Sequence, residues 1–283
     1  MDPATLIGIV FAFGALVAMI TLEGSSLHSI LLPAPMILVF AATIAVGVAG
    51  GTIQDAVLAF KSLPRAFRGK TTPPNRIIDQ VVHLAETART SGLLSLEQEA
   101  DKVNDPFLRG ALQNIADGTD GDELRMLLED EISTRARSDR SAAKFFTSLG
   151  GYAPTIGIVG TVVSLTHVLE NLSSPDTLGP MIAAAFVATL WGLLSANFLW
   201  LPIGSRLKRL ADIEVDRMTL LMEGALAVQA GSQPRLLGER LRAMVSDDAL
   251  GKAAKSGKAE KAGKARKAGK AATEDPSTLS EAA

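Results

Sequence analysis

The chain alternates long uncharged apolar stretches with segments that are rich in charge. Four stretches contain no Asp, Glu, Lys or Arg, and they lie at 3–22, 24–53, 145–169 and 177–205. A helix needs roughly 20 apolar residues to cross a hydrocarbon layer of about 30 Å, and each stretch supplies them. The pattern predicts an all-α polytopic membrane protein with four transmembrane helices. In the second stretch, Pro33 and Pro35 predict that the helix begins there rather than at residue 24.

The same pattern predicts five parts of the chain. They are a first transmembrane hairpin at 1–53, with spans at about 3–22 and 33–53, a helical cytoplasmic insertion at 54–147, a second transmembrane hairpin at 148–204, with spans at about 148–170 and 179–203, a cytoplasmic amphipathic helix at 205–248, and a disordered tail rich in Lys, Ala and Gly at 249–283. Gly8, Gly14, Gly47 and Gly50–Gly51 of the first hairpin suit close helix contacts.

The last two apolar stretches carry small residues at helical spacing, which lets helices approach closely in lipid. A rise of ~1.5 Å per residue places Thr161 and Thr189 at one level, roughly 20 Å from the same membrane face. Pro154 and Pro202 both fall near the cytoplasmic face. Each threonine alone is compatible with a bond to its own helix, and each proline with a packing kink. The four together favour a polar lining.

Positive charge is confined to two segments of the chain. All 28 Lys and Arg lie at 61–144 and 206–270. Because basic loops stay on the cytoplasmic side, both segments and both termini are predicted to be cytoplasmic. The protein is then a multi-pass membrane protein. The first span is expected to be retained, because no basic region or convincing cleavage site of a signal peptide precedes it.

The spans lack the groups that catalysis or ion relay requires. The chain has no Cys and three scattered His, so no metal site, cofactor or catalytic constellation is expected, and we predict that it is not an enzyme. No Asp, Glu or Lys lies deep within a predicted span. Ion relays through a bilayer generally need an intramembrane ionisable group. The chain is therefore expected to depend on a partner that brings a carboxylate.

The predicted cytoplasmic insertion shows helix boundaries in its sequence. Gly92 is a natural stop for the helix that precedes it. Ser95 with Gln98 predicts a capping box at the start of the next helix, and Asp105–Pro106 predicts an N-cap followed by Pro at the first helical position. Pro64 is expected to punctuate the segment. The Lys-rich tail is interpreted as a solubilising segment, with contact to anionic lipid or nucleic acid as the alternative.

Three motifs resemble the MotA/PomA family, the ion-channel subunit of the bacterial flagellar stator. They are APTIGIVGTVVSLTHVL at 153–169, TLWGLLSANFLWLPI at 189–203 and ARTSGLLSLEQE at 88–99. The resemblance covers about 1–246 and leaves the Lys-rich tail outside. It implies four spans, with a large cytoplasmic insertion between the second and the third.

The resemblance also implies roles for individual residues of the spans. Pro154 and Pro202 match prolines at the cytoplasmic mouth that couple ion flow to movement. Thr161 and Thr189 match positions that line the channel. The family works as a pentameric ring around a dimer of MotB, a single-span partner that is anchored to peptidoglycan, and ion passage past an aspartate of that partner is thought to rotate the ring.

For the cytoplasmic part, the resemblance implies contact with the rotor, or switch, protein of the flagellum. Arg89 and Glu97 match the charged pair that meets the rotor, and Glu131 aligns by spacing with another functional acid. From spacing alone, Arg89 follows Glu86 by one turn and fits a solvated helix face with a weak ion pair. The family resemblance favours the rotor surface for Arg89 and Glu97.

Two other functions are compatible with parts of the pattern. An energiser of the ExbB/TolQ type shares the channel hairpin, but such proteins usually have three spans, so the first hairpin argues against it. A non-conducting scaffold would leave the paired threonines unexplained. The transported ion is predicted to be the proton, as the commoner choice. Sodium is the alternative, because hydroxyl oxygens are compatible with both ions.

Overall fold

The computed structural model describes residues 4–24, 26–69, 72–173 and 175–246, and Leu250. These residues form helices and connecting turns without any strand, which confirms the predicted all-α class. The prediction of a disordered tail at 249–283 lies outside the described residues, apart from Leu250.

Ten α-helices are described. They are α1 (Ala4–Leu22), α2 (Pro33–Ala49), α3 (Ile53–Arg68), α4 (Pro74–Ser91), α5 (Leu96–Lys102), α6 (Pro106–Ala116), α7 (Gly121–Glu170), α8 (Pro175–Leu194), α9 (Leu201–Gln229) and α10 (Pro234–Ala243). Two short 3₁₀ turns, Leu27–Ile30 and Leu93–Ser95, precede α2 and α5, and a π-helical turn, Ser195–Trp200, joins α8 to α9.

Three helical stretches of the described residues are long and apolar enough to cross a membrane. They lie in α1, in α7 and in the continuous run from α8 to α9. The remaining predicted span, which is the second along the chain, corresponds to α2, a shorter apolar helix of 17 residues. It ends at Ala49, four residues before the predicted limit of 53, because Gly50 and Gly51 follow and Thr52 caps the next helix.

The capping box at Thr52 begins α3 inside the predicted insertion. The backbone N–H of Asp55 donates to the Thr52 hydroxyl, and the Asp55 carboxylate accepts from the Thr52 hydroxyl and backbone N–H. Hydrogen bonds from Thr52 and then Ser141 lower the pKa of Asp55 below its ordinary value. Pro64 lies inside α3 and does not interrupt it, contrary to the expectation that it would punctuate the segment.

The chain divides into two compact units. Unit 1 comprises 1–71 and 133–215, and unit 2 comprises 72–132 and 216–283. These units do not follow the predicted limits of the insertion at 54–147. The reason is that α3 packs on the apolar half of α7 in unit 1, while α10 packs on α4 in unit 2.

Unit 1 is held together by close packing of apolar helices. Phe40 of α2 lies between two tryptophans, with ring centroids 5.9 Å from Trp191 and 6.4 Å from Trp200. The Trp200 ring stacks on Phe146 of α7 at 6.4 Å. The prediction of a close contact at Gly47 is confirmed, since a Cβ there would collide with Leu149.

Unit 2 is a small helical bundle whose turns follow local sequence signals. Gly92 ends α4 with φ +83°, and the Asp105 carboxylate accepts the backbone N–H groups of Phe107 and Leu108. Both predictions are confirmed. The predicted capping box at Ser95 is wrong, because Ser95 lies in the 3₁₀ turn and its hydroxyl donates to the Gly92 carbonyl at 2.6 Å.

The predicted amphipathic helix at 205–248 is two helices. Helix α9 ends at Gln229, and α10 begins at Pro234 after a turn in which Gly231 has φ +71°. A positive φ favours glycine, and proline suits the first position of a helix, so the Gly-Ser-Gln-Pro sequence accounts for the break. The return of α10 lets Leu237 and Leu241 enter the core of unit 2.

Candidate functional site

Helices α7 and α8 of unit 1 approach each other at glycine, as the small-residue pattern predicts. A Cβ at Gly157 would lie 2.9 Å from the Ala188 carbonyl oxygen, and one at Gly192 would lie 2.8 Å from the Ala153 carbonyl oxygen. Any larger side chain at these two positions would collide with backbone of the opposite helix. The prediction of a close helix pair is therefore confirmed.

Thr161 and Thr189 meet across this helix pair, and their hydroxyl oxygens are within hydrogen-bond distance. The Thr161 hydroxyl is also 3.1 Å from two carbonyl oxygens, Gly157 on its own helix and Ala185 on the opposite one. A hydroxyl has one proton and two lone pairs, so Thr161 can donate to a carbonyl while it accepts from Thr189. The bond to the threonine's own helix and the polar contact between helices therefore coexist.

Several oxygen atoms lie close together around Thr161 and Thr189, where α7 meets α8. Both side chains are half-buried, so they line the helix contact without being sealed inside it. Two hydroxyl oxygens and the Ala185 carbonyl lie within one hydrogen-bonded group. Such a group can accept from water or coordinate a hard cation, because hydroxyl and carbonyl oxygens are ligands for both.

Pro154 and Pro202 are both half-buried residues of unit 1. Gly150, one turn before Pro154, contacts Leu201, which directly precedes Pro202; a Cβ at Gly150 would be 2.6 Å from the Leu201 side chain. The two prolines thus belong to the same end of the helix pair. Each lacks an N–H and leaves a carbonyl one turn earlier without its usual donor.

The π-helical turn Ser195–Trp200 was not predicted from the sequence. It ends two residues before Pro202, and the carbonyl that a proline ring crowds, four residues earlier, lies within this turn. The signal that could have indicated it is Pro202 itself, placed inside an uninterrupted apolar run.

Thr43 is a second polar residue of unit 1 that the sequence analysis did not single out. Its side chain is fully buried in α2, and its hydroxyl has no hydrogen-bond partner among the described residues. Ser195 is equally buried, but its hydroxyl donates to the Gly192 carbonyl at 3.2 Å. Thr43 is the only hydroxyl residue of α2, and that isolation was its only signal in the sequence.

The apolar helices carry no ionisable group at depth. Helices α1 and α2 contain no Asp, Glu, Lys or Arg, α7 contains none between Lys144 and Glu170, and α8 none after Asp176. No group of three or more His, Asp or Glu that could hold a metal ion is found among the described residues. The oxygen group at Thr161 and Thr189 has no charge of its own to balance that of an ion.

The three charged candidates lie in unit 2, on three different helices. Arg89 is in the last turn of α4, Glu97 in the first turn of α5, and Glu131 on α7. All are exposed, and none makes an ion pair or a side-chain hydrogen bond within the described part of the chain. The weak ion pair expected between Arg89 and Glu86 is therefore not formed.

Some other charges of unit 2 are paired within the unit. The Arg217 guanidinium donates to the Asp105 carboxylate. Glu223 accepts from Arg125 at 2.9 Å and from Arg240 at 3.0 Å, and the bond to Glu223 raises the pKa of Arg125. Between Arg89 and Glu97, the 3₁₀ turn exposes Leu94, 71% of whose surface is accessible. That segment offers two unpaired charges around an apolar side chain.

Comparisons with known proteins show which family and which proteins this chain is similar to. The profile of the MotA/TolQ/ExbB proton channel family matches residues 99–220. Motility protein A of Bacillus subtilis (strain 168) is 34% identical over 251 residues, which cover 85% of this chain and 90% of that protein. Chemotaxis protein PomA of Vibrio alginolyticus is 31% identical over 242 residues, covering 86% and 94%.

Solved structures of flagellar stators have the same fold. MotAB of C. jejuni superposes with a TM-score of 0.84 at 26% identity, covering 88% of this chain and 97% of that one. The flagellar MotAB stator complex from Bacillus subtilis gives 0.81 at 31% identity, covering 88% and 98%. The chain therefore belongs to the MotA/PomA family of flagellar motor stator subunits, within the MotA/TolQ/ExbB proton channel family.

Proposed function

We propose that this chain is the ion-conducting A subunit of a flagellar stator that turns ion flow into torque on the rotor. In this proposal four helices span the bacterial cytoplasmic membrane, α2 being the shortest, and the basic segments face the cytoplasm. The observation that carries the proposal is the contact of Thr161 with Thr189 in the closely packed pair of α7 and α8.

The lack of a carboxylate in the proposed spans supports a partner protein that supplies one. An ion that crosses the hydrocarbon layer needs a balancing group, and no Asp or Glu of this chain lies at depth. The partner that we propose is a MotB-like, single-span protein anchored to peptidoglycan, which brings a membrane carboxylate to the level of the threonines. The two similar solved structures are MotAB complexes, which supports this choice.

We propose that Pro154 and Pro202 couple ion passage to movement at the cytoplasmic mouth. Each leaves a carbonyl without its usual helical partner, so local changes of hydrogen bonding cost less there than in a regular helix. The π-helical turn before Pro202 adds a place where the helix can change between two hydrogen-bond registers. A ring of five copies around the partner would convert such changes into rotation.

Arg89 and Glu97 are the residues that we propose to meet the rotor protein. Both are exposed and lack an ion-pair partner within the described residues, so their charge is available to a second protein. Glu131 is exposed as well and is proposed as a third, separate contact. Electrostatic contacts of this kind favour fast, reversible engagement over tight binding.

We take the proton as the transported ion and sodium as the alternative. A proton needs a carboxylate and a path of water or hydroxyls, and the partner with Thr161 and Thr189 would supply both. Sodium would use the same oxygens as ligands. No cofactor takes part in either case.

The test is motility in a host from which the stator genes are deleted. Expression of this chain with its cognate single-span partner should restore swimming, and neither protein should do so alone. Swimming should follow pH and be abolished by an uncoupler. If swimming stops when sodium is replaced by potassium at constant pH, the ion is sodium; in that case Thr189→Val should raise the sodium concentration needed for half-maximal speed. If the pair restores no swimming although both proteins reach the membrane, the stator proposal is wrong.

A further inference from the structure

The chain contains two tryptophans, and both lie in unit 1 in similar surroundings. Trp191 is in α8, and Trp200 ends the π-helical turn. Each is 9% exposed, and their rings lie 5.9 and 6.4 Å from the ring of Phe40. They differ at the indole N–H. That of Trp191 donates to the Ile30 carbonyl at 2.7 Å, whereas that of Trp200 has no hydrogen-bond partner among the described residues.

The acceptor of the Trp191 bond belongs to the first hairpin. Ile30 is the last residue of the 3₁₀ turn Leu27–Ile30, and α2 begins after it at Pro33. Carbonyls at the end of a helical turn lack the donors that a longer helix would supply, and a proline brings no N–H to replace them. The indole therefore ties α8 to the connection between α1 and α2, although the two residues are 161 positions apart in the sequence.

Trp191 and Thr189 lie on opposite sides of α8. Two positions along an α-helix differ by about 200° around its axis. The Thr189 hydroxyl faces that of Thr161 on α7, and Gly192 approaches Gly157 of α7. Helix α8 is thus held by α7 on one side and by the first hairpin on the other.

The bonded indole lies just before the irregular part of this helical run. The π-helical turn begins at Ser195, four residues after Trp191. A π-helical turn contains more residues than an α-helical turn, so it can absorb a change of register. Trp200 lies within this turn and keeps a buried N–H unpaired, which is an unfavourable state. The part of the run that contains Thr189 is therefore anchored, while the part toward Pro202 contains an unpaired donor.

We propose that Trp191 is a positioning residue of the ion pathway. Its bond to Ile30 keeps Thr189 level with Thr161 while the π-helical turn that follows changes register. The inference deepens the proposed function and rests on its assignment of the two threonines to the pathway. Trp191 does not contact the ion and acts only through the position of Thr189. A tryptophan that merely filled the core would need its ring but not its N–H.

An unnatural side chain separates the N–H from the ring. Benzothienylalanine retains the bicyclic ring and carries sulfur in place of the N–H, and nonsense suppression places it at position 191 alone. The variant Trp191→Phe removes the N–H together with part of the ring and should act in the same direction. Both are made in the full-length chain and co-reconstituted with its single-span partner in vesicles.

Disulfide cross-linking reports the position of α8 without any need for ion flux. The chain has no cysteine of its own, so introduced pairs can be compared. One pair is Thr161→Cys with Thr189→Cys. The other is Thr161→Cys with Ala185→Cys, one turn earlier on α8, where the Ala185 carbonyl lies 3.1 Å from the Thr161 hydroxyl. Mild oxidation is followed by mass spectrometry of the linked peptides.

With tryptophan at position 191, the link between positions 161 and 189 should form in preference to the link between 161 and 185. Without the N–H, the ratio of the two products should fall roughly fivefold, which is the effect of losing one ordinary hydrogen bond. An unchanged ratio would overturn the proposal.

The matched control for packing is Phe40→Leu. It removes the ring against which Trp191 packs and leaves the donor and the acceptor of the hydrogen bond in place. The cross-linking ratio should then stay at its original value. If Phe40→Leu lowers the ratio as much as benzothienylalanine does, packing sets the position of α8, and the proposal is wrong.

Ion flux in the same vesicles, with both threonines intact, tests the consequence for the pathway. Benzothienylalanine should raise the ion concentration for half-maximal flux roughly fivefold and leave the maximal flux nearly unchanged, because Thr189 is displaced but not removed. A lower maximal flux with an unchanged half-saturating concentration would overturn the proposal, since a merely structural tryptophan would act in that way. If the unaltered complex conducts no ion, the proposed function fails, while the cross-linking ratio still decides whether Trp191 positions Thr189.

Discussion

A pair of touching hydroxyls gives the helix contact of α7 and α8 a polar centre. Thr161 has three oxygen neighbours, and Thr189 supplies one of them. Hydroxyls that only satisfy their own helix make no such contact, as Thr166 illustrates: it is exposed and donates to the Val162 carbonyl at 3.0 Å. Thr161 and Thr166 lie on the same helix in different environments. Substitutions at these two positions can therefore be compared to test the pathway proposal.

Thr161→Val should slow the motor, while Thr166→Val should not. Valine keeps the shape of threonine and removes the hydroxyl, so the ion loses one oxygen along its path. A contribution of about 1.4 kcal/mol to passage corresponds to a roughly tenfold loss of rate. Swimming speed and membrane levels of both variants are measured in the stator-deleted host. Equal speeds at equal membrane levels would mean that Thr161 does not line the pathway.

The exposed charges near Gly92 allow a second comparison of single residues. Arg89→Glu and Glu97→Lys should each impair swimming without reducing membrane assembly, because neither side chain has a partner within the described residues to lose. Reversal of the opposing rotor charge should restore part of the speed. Arg235→Glu is the control, since Arg235 is also an exposed arginine of unit 2, 93% accessible. If both charge-reversal variants swim normally at low and high ionic strength, Arg89 and Glu97 belong to an ordinary solvated surface and do not meet the rotor.

At the scale of the helix, glycine decides how near α7 and α8 come. A Cβ at Gly157 meets the Ala188 carbonyl and the Cα atoms of Thr189 and Gly192 within 3.3 Å. Gly14 of α1 meets nothing within 4 Å, contrary to the prediction of close contacts at Gly8 and Gly14. Both α1 and α7 carry small residues, but α7 meets α8 at its glycines, whereas α1 makes its helix contact through Phe13, whose ring centroid lies 5.4 Å from that of Phe198.

Gly157→Val should therefore separate α7 from α8 and abolish motility, while Gly14→Val should be tolerated. Overpacking a tight contact costs about 1–3 kcal/mol, because backbone atoms of the opposite helix cannot move aside. Thermal unfolding in detergent and swimming are measured together. If Gly157→Val is as stable and as motile as Gly14→Val, the close approach is not required.

Local signals predicted elements where one residue decides the backbone. The predictions at Gly92 and Asp105 are correct because one residue decides the backbone at each place. Glycine accepts a positive φ, and the Asp105 carboxylate caps the next helix. Ser95 and Pro64 were misjudged because several backbone geometries accept them, and packing selects one. The break before α10 had a signal at Gly231 and Pro234, which the amphipathic pattern around it concealed.

The candidate site was predictable to the extent that helix geometry is regular. Equal depth of Thr161 and Thr189 follows from rise per residue, and the structure brings their hydroxyls together. The π-helical turn and the buried hydroxyl of Thr43 were not predictable, because both depend on which helices pack against one another. The roles of Arg89, Glu97 and Glu131 stay predictions.

At the scale of the whole molecule, the charged residues of this chain lie outside its long apolar stretches. Its apolar helices supply close packing, hydroxyls and prolines, but no carboxylate at depth. We therefore propose that conduction belongs to a complex, in which this chain provides the wall of the pathway and the partner provides the charge.

Proton flux into vesicles tests this division most directly. The full-length chain is reconstituted alone, with its single-span partner, and with a partner whose membrane Asp is replaced by Asn. An inward gradient and a membrane potential drive the flux, which a pH-sensitive dye inside the vesicles records. We expect flux only with the unaltered partner and background leakage in the other two samples. Robust proton flux through this chain alone would contradict it.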